Sequence, residues 1–187
     1  MDAGQLISKG DHFMKKIALV IDIQEKLLPA MAEKEALLKN TEIFLKGLKE
    51  LEVPVLFTEQ YPRGLGATVP ELEAIFPEAC YVPKTQFSAW TEEVKDYMNA
   101  LGATDVLVLG IEAHVCVLQT VETLLKEGYR VTLVRDLVSS RKESDRETGI
   151  AYLRDLGASI SSYEAELFKL LGDAKNEHFK AISNLVK

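Results

Sequence analysis

The sequence predicts a three-layer α/β fold, with six parallel strands in one doubly wound sheet and helices on both faces. Three observations predict it. Short apolar runs alternate with helical patterns about six times along the chain. The runs Ile17–Ile21 and Val106–Leu109 are apolar without interruption, as strands covered on both faces must be. Polar or glycine residues (Asp22, Glu59, Lys84, Gly110, Asp136) follow the strand runs, at the sheet edge where ligands bind in such folds. The 187 residues fit one domain, 1–187, with its core over about 16–170 and a helical extension over 171–187.

Residues 1–15 are mixed and polar, a lead-in with at most one helical turn. The first strand, Ile17–Ile21, ends at Asp22. Helically spaced Leu37, Leu38, Ile43, Phe44, Leu48 and Leu51 predict an amphipathic helix over about 33–51. Val53–Glu59 is the second strand, with Pro54 at its tolerant start. The glycines and proline of 61–66 read as a loop. Pro70 opens a short helix toward Phe76. Cys80–Pro83 is the third strand and delivers Lys84.

Thr91 reads as the cap of a helix that stops at Leu101-Gly102. The fourth strand breaks at Gly110. A helix then carries Cys116 near its start and closes at Glu127-Gly128. Arg130–Arg135 is the fifth strand, ending at Asp136. Ser144 or Asp145 caps a helix to about Leu156-Gly157, and Ala158–Ile160 is a weak sixth strand. One or two helical segments complete the chain. The first and fourth strands are expected to flank the topological switch point.

Composition narrows the class of function. The chain is 47% hydrophobic and 27% charged, which fits a packed core. A net charge of −7 disfavours a nucleic-acid surface, which needs cations to displace counterions. No secretory signal or membrane-spanning run is read, so a soluble, cytoplasmic protein is expected, with no membrane partner. The two cysteines have no zinc spacing and suggest a reducing compartment.

Cys116 is the candidate nucleophile. At a helix start it meets unpaired N–H groups and the positive end of the dipole, which favour thiolate. It also fits as a small buried hydrophobe. Asp22 is either a site carboxylate or a helix cap. Lys84 is either a surface cation or one that holds site groups in register. His12 and His178 lie in polar terminal segments, and His114 stands two residues from Cys116, which turns it to another helix face. A carboxylate base with a lysine beside it can replace histidine.

Three blocks carry a family resemblance: ALVIDIQ at 18–24, PKTQFSAW at 83–90, and LGIEAHVCVLQTVETLLKEGYRV at 109–131. In this order and spacing the chain, over about 16–170, resembles the isochorismatase-like cysteine hydrolases. GIEAHVCVLQT, SSR at 139–141 and LLGDAKNEHFKAI look closest to the isochorismatase domain-containing proteins. The resemblance implies Asp22 as general base, Lys84 as its electrostatic partner and Cys116 as nucleophile. It implies a cis peptide at Ile111–Glu112 and an oxyanion hole from the Glu112 and Cys116 amides. Gln24, Glu59, Tyr61, Phe87, Trp90 and His114 are the candidate pocket walls. A homo-oligomer acting on a small molecule is expected.

Two departures sharpen this. Metal-binding members of the family use histidines after the second strand. Here no histidine occurs from 59 to 90, so neither a metal nor any other cofactor is expected and nicotinamide is disfavoured. Members that cleave an enol ether lack the cysteine, so Cys116 disfavours literal isochorismatase activity. The expected reaction is metal-independent cleavage of a small amide or ureide C–N bond. The alternatives are a catalytically silent protein of this fold that acts through protein contacts, and a redox thiol. A nucleotide-binding domain is disfavoured because no GxGxxG follows the first strand.

Overall fold

The computed structural model describes residues 16–187, and the expected lead-in over 1–15, with His12, lies outside them. Its six strands are β1 (Lys16–Ile21), β2 (Val55–Gln60), β3 (Cys80–Lys84), β4 (Asp105–Ile111), β5 (Arg130–Ser139) and β6 (Ser159–Ser161). They form one sheet in the order β3-β2-β1-β4-β5-β6, every neighbour parallel. The order reverses between β1 and β4, as the alternation predicts. All strand C-termini therefore share one edge.

The helices are α1 (Lys34–Glu50), the single turns α2 (Pro62–Leu65) and α3 (Pro70–Glu73), α4 (Glu92–Ala100), α5 (Leu118–Lys126), α6 (Glu143–Asp155), α7 (Tyr163–Leu171) and α8 (Phe179–Leu185). Side chains of β1 alternate between two cores. Ala18 and Val20 join Phe44, Leu48 and Leu167 on one face. Ile17, Leu19 and Ile21 join Val94, Val121 and Leu153 on the other. Two buried faces explain why β1 is apolar at every position after Lys16.

The sequence-based boundaries hold within a residue or two, with instructive exceptions. Thr91 caps α4, its hydroxyl accepting from the Val94 N–H at 3.3 Å. The loop expected over 61–66 contains α2. The strand expected to break at Gly110 continues to Ile111, with a register irregularity between Val108 and Gly110. Gly110 has φ +127°, and a Cβ there would stand 2.1 Å from the Ile21 carbonyl oxygen. Its absent side chain thus lets β4 press against β1, rather than ending the strand.

The fifth strand also runs past its expected end, to Ser139. Asp136 therefore lies within β5 and not at the ligand edge. Its Oδ1 accepts from the Tyr163 N–H at 2.9 Å, satisfying the first turn of α7. Neither Ser144 nor Asp145 caps α6. That helix begins one residue earlier, after Lys142, with no side-chain cap. Glu143 and Asp145 instead put negative charge in its first turn.

Candidate active site

Asp22, Lys84 and Cys116 come from three different strand ends, yet the fold brings them together. Asp22 follows β1 in a left-handed conformation, φ 55°, which an aspartate adopts more readily than most residues. Its carboxylate is fully buried. Oδ1 accepts from the Thr58 hydroxyl at 2.8 Å, and Oδ2 from Lys84 Nζ at 2.7 Å. Thr58 is the register partner of Ile21, so neighbouring parallel strands place this hydroxyl beside Asp22.

Lys84 ends β3 and reaches inward across β2. Its side chain is also fully buried. Nζ donates to Asp22, to Gln60 Oε1 at 2.7 Å and to the Phe87 carbonyl at 3.0 Å, with the Gln86 carbonyl at 3.3 Å. The ammonium is thus fully solvated by protein. A buried cation with this many acceptors is rigid, and its reach to Asp22 is set by the fold.

Cys116 sits in a π-helical turn, Ala113–Val117, that precedes α5. Its residue exposure is 6%. The expectation that a helix start makes it a ready thiolate is corrected here. Burial first, then the negative charge of Asp22, pushes the Cys116 thiol up to about 12, against a smaller opposing effect of Lys84. The nearby Asp22 carboxylate thus favours the protonated form of the thiol. The Glu112 backbone N–H acts on the same sulfur in the other direction. The resting group is a neutral thiol with a carboxylate beside it. The Ile111–Glu112 peptide is cis.

The expected pocket residues divide by location. Gln24 is completely buried and has no side-chain atom to spare. Its Nε2 donates to the Gln60 and Gly66 carbonyls at 3.0 and 2.6 Å, and its Oε1 accepts from the Gln60 N–H at 2.7 Å. Glu59 Oε1 accepts from the Thr68 N–H and hydroxyl at 2.7 and 2.9 Å, pinning the 66–70 loop. Both shape the site wall from behind. Trp90 is displaced altogether. It packs edge-on against Tyr129, 5.4 Å between centroids, in a hollow with Thr104 and Gly128 at the opposite sheet edge. Residues 85–90 run down α5 to reach it, with the Ala89 N–H donating to Thr120 Oγ1 at 2.7 Å.

Tyr61 and Phe87 remain at the ligand edge, each about half exposed at 53% and 52%. Both are tied to Lys84: the Tyr61 N–H donates to the Lys84 carbonyl at 2.8 Å, and the Phe87 carbonyl accepts from Nζ. A cavity of about 480 Å³ lies beside Lys84, lined by Tyr61, Arg63, Pro83, Thr85 and Gln86 among others. Lys84 is the member of the trio that lines it. His114 shares a hydrogen bond with Ser140 Oγ at 2.9 Å, and its Nε2 lies 3.9 Å from Asp145.

Thr58, Gln60, Ser140 and Arg141 were not expected at the site. Thr58 and Gln60 flank Glu59 at the second strand's end, and strand alternation was the signal that could have found them. Ser140 and Arg141 follow β5, whose true end the Asp136 reading obscured. Among the described residues, no group of three or more His, Cys, Asp or Glu side chains is placed to hold a metal ion. No helix among them is long and apolar enough to cross a membrane.

The family model of the isochorismatase domain matches residues 16–165. Isochorismatase domain-containing protein 2 of Danio rerio is 37% identical over 186 residues, covering 98% of this chain and 90% of that protein. The Homo sapiens protein of the same name is 39% identical over 173 residues, covering 91% and 82%. Among solved structures, the MAR1 ribonuclease from Caenorhabditis elegans superposes with a TM-score of 0.88 at 33% identity, covering 92% of this chain and 90% of that one.

Proposed function

The chain belongs to the isochorismatase family, a hydrolase fold, and from that premise we propose that it cleaves a small amide or ureide without a metal, through Cys116, Asp22 and Lys84. One observation carries the reading: the buried Cys116 thiol lies within the influence of a buried carboxylate, Asp22, that is itself held at 2.7 Å by a buried ammonium, Lys84.

The chemistry follows from that arrangement. Cys116 Sγ attacks the substrate carbonyl carbon while Asp22 takes the thiol proton. General-base transfer in the attack itself suits a thiol raised to about 12, since little free thiolate stands ready near neutral pH. The tetrahedral oxyanion is stabilised by the Glu112 and Cys116 backbone N–H groups. Aligned donors of this kind each contribute about 10²–10³ in rate. Asp22 returns the proton to the leaving nitrogen, the C–N bond breaks, and a thioester remains. Asp22 then takes a proton from water as it attacks the thioester, the C–S bond breaks to release the acid, and Asp22 returns that proton to Cys116 Sγ, restoring the thiol. Lys84 balances the carboxylate and holds its orientation through both halves.

The test is a panel of small amides and ureides with Cys116→Ala as control, read by product release and by intact mass for a trapped thioester. Hydrolysis that depends on Cys116 with an acyl adduct is the expected result. Turnover of none of the panel would favour a silent protein of this fold acting through contacts. RNA belongs in the panel because of the C. elegans neighbour's name. A net charge of −7 argues that it will not be cut. Assembly into a homo-oligomer is part of the proposal and is read by light scattering.

A further inference from the structure

Glu112 is tied in through its carbonyl and one carboxylate oxygen. Its N–H acts on the Cys116 sulfur in the direction of thiolate. Its carbonyl accepts from the Val115 and Val117 N–H groups at 3.0 and 3.2 Å, closing the turn that carries the cysteine. Its carboxylate Oε2 accepts from the Arg141 backbone N–H at 3.1 Å and from Arg141 Nε at 3.0 Å. The side chain is 14% exposed, while that of Arg141 is 64% exposed. Ile111 and Ser139 are paired at the ends of β4 and β5. Beyond that pair the two chains leave the sheet, and no ladder bond can join them. The Glu112–Arg141 contacts take over, with His114 and Ser140 forming a second tie two residues on.

We infer that the Glu112 side chain and Arg141 are positioning residues for the nucleophile turn: the ion pair fixes the Glu112 peptide, whose carbonyl closes the turn that carries Cys116, and neutralises a carboxylate four residues before the thiol. The inference rests on the reading of Cys116 as nucleophile. An ordinary exposed ion pair contributes little to stability. Here the Arg141 guanidinium and backbone N–H converge on one carboxylate oxygen, and that carboxylate belongs to the residue whose carbonyl closes the cysteine turn. The charges that bear on the thiol are Asp22 after β1 and Lys84 after β3; the further titratable groups around the turn are Glu112 and His114 on its own segment, Arg141 after β5 and Asp145 on α6. Removing the Arg141 side chain frees one negative charge and loosens one thiolate-stabilising donor, and both changes disfavour ionised sulfur.

The test is the pH profile of Cys116 alkylation by iodoacetamide, which needs no substrate, with Cys80 labelling as the internal reference. Arg141→Ala is expected to slow Cys116 labelling about fivefold at fixed alkaline pH, the scale of one charge-assisted hydrogen bond. Its profile should shift to higher pH, with Cys80 unchanged. Arg141→Lys should recover most of the rate. Glu112→Gln, whose amide oxygen can still accept both hydrogen bonds, should keep or raise it. On any amide the wild type hydrolyses, Arg141→Ala should lower kcat and leave KM unchanged. An unaltered Cys116 profile in folded Arg141→Ala overturns the assignment, as does a fall in Glu112→Gln equal to that in Arg141→Ala. If no amide is turned over but the labelling pattern appears, the hydrolytic reading fails and the positioning assignment stands.

Discussion

Lys84 Nζ lies 2.7 Å from Asp22 Oδ2, and both side chains are withdrawn from solvent. Two charges buried this deeply are interdependent, because each is the other's replacement for water. Removing the lysine alone strands a carboxylate with one hydroxyl donor, Thr58. Lys84→Ala is expected to cost about 3–5 kcal/mol of folding stability. Lys84→Met with Asp22→Leu should recover much of that loss while remaining inactive. Urea unfolding of the single and double variants measures the coupling. Additive losses in the two singles would contradict an interdependent pair.

The thiol makes stability depend on alkaline pH, with a definite sign. The Cys116 pKa is raised from 9.0 to about 12. Below about pH 9 both folded and unfolded chains hold the proton, so the contribution is fully present. Between 9 and 12 the unfolded chain has lost it and the folded chain keeps it, so stability falls as pH rises. Tyr81, raised from 10.0 to about 12 by burial and then by Glu73, acts in the same direction. Cys116→Ala should therefore flatten, without abolishing, the decline in stability from pH 9 to 11. Parallel decline in variant and wild type would show that the thiol titrates normally.

Gly149 on α6 lies where the helix meets the nucleophile turn. A Cβ there would stand 2.9 Å from the Ala113 carbonyl oxygen and 3.2 Å from the His114 Cα. Backbone cannot yield as a flexible side chain can. Gly149→Ala should destabilise by about 1–3 kcal/mol through overpacking. It should also displace the turn, and Cys116 labelling should change while Cys80 labelling does not. Gly110→Ala is the severe counterpart, since its Cβ would overlap the Ile21 backbone at φ +127°. That variant is expected not to fold, as circular dichroism would show.

Gln24 and Trp90 separate wall from support. Gln24→Ala removes three hydrogen bonds that join the segment after β1 to Gln60 and Gly66. A loss of about 2–3 kcal/mol is expected, because three part-buried hydrogen bonds are lost together. Trp90→Ala should lower the melting temperature and leave KM for any amide substrate unaltered, given its place against Tyr129. A large KM effect in a stable Trp90→Ala protein would return Trp90 to the pocket.

The sequence by itself determined the strand and helix alternation, the position of the switch point and the three residues that end up together. Local signals carried the first two, while the three residues, each open to a plainer reading alone, were singled out together by the resemblance of the blocks that contain them. Uninterrupted apolar runs mark strands buried on both faces, and Asp22 and Lys84 are the polar residues that end two of them. What only the tertiary structure decided is how far each residue travels and what surrounds it. Trp90 shares a motif with Lys84, yet the chain between them runs the depth of the sheet and takes it to the far edge. Asp136 follows an apolar run as Asp22 does, but the irregular pairing of β4 and β5 keeps it inside the strand, capping α7. The charge state of Cys116 was the least legible. A helix start favours thiolate locally, but the balance is set by burial and by a carboxylate 94 positions away in sequence, and neither is written in the turn itself. Sequence therefore named the candidate groups, and the packing of the strand ends decided the burial and the neighbouring carboxylate that push the Cys116 thiol up.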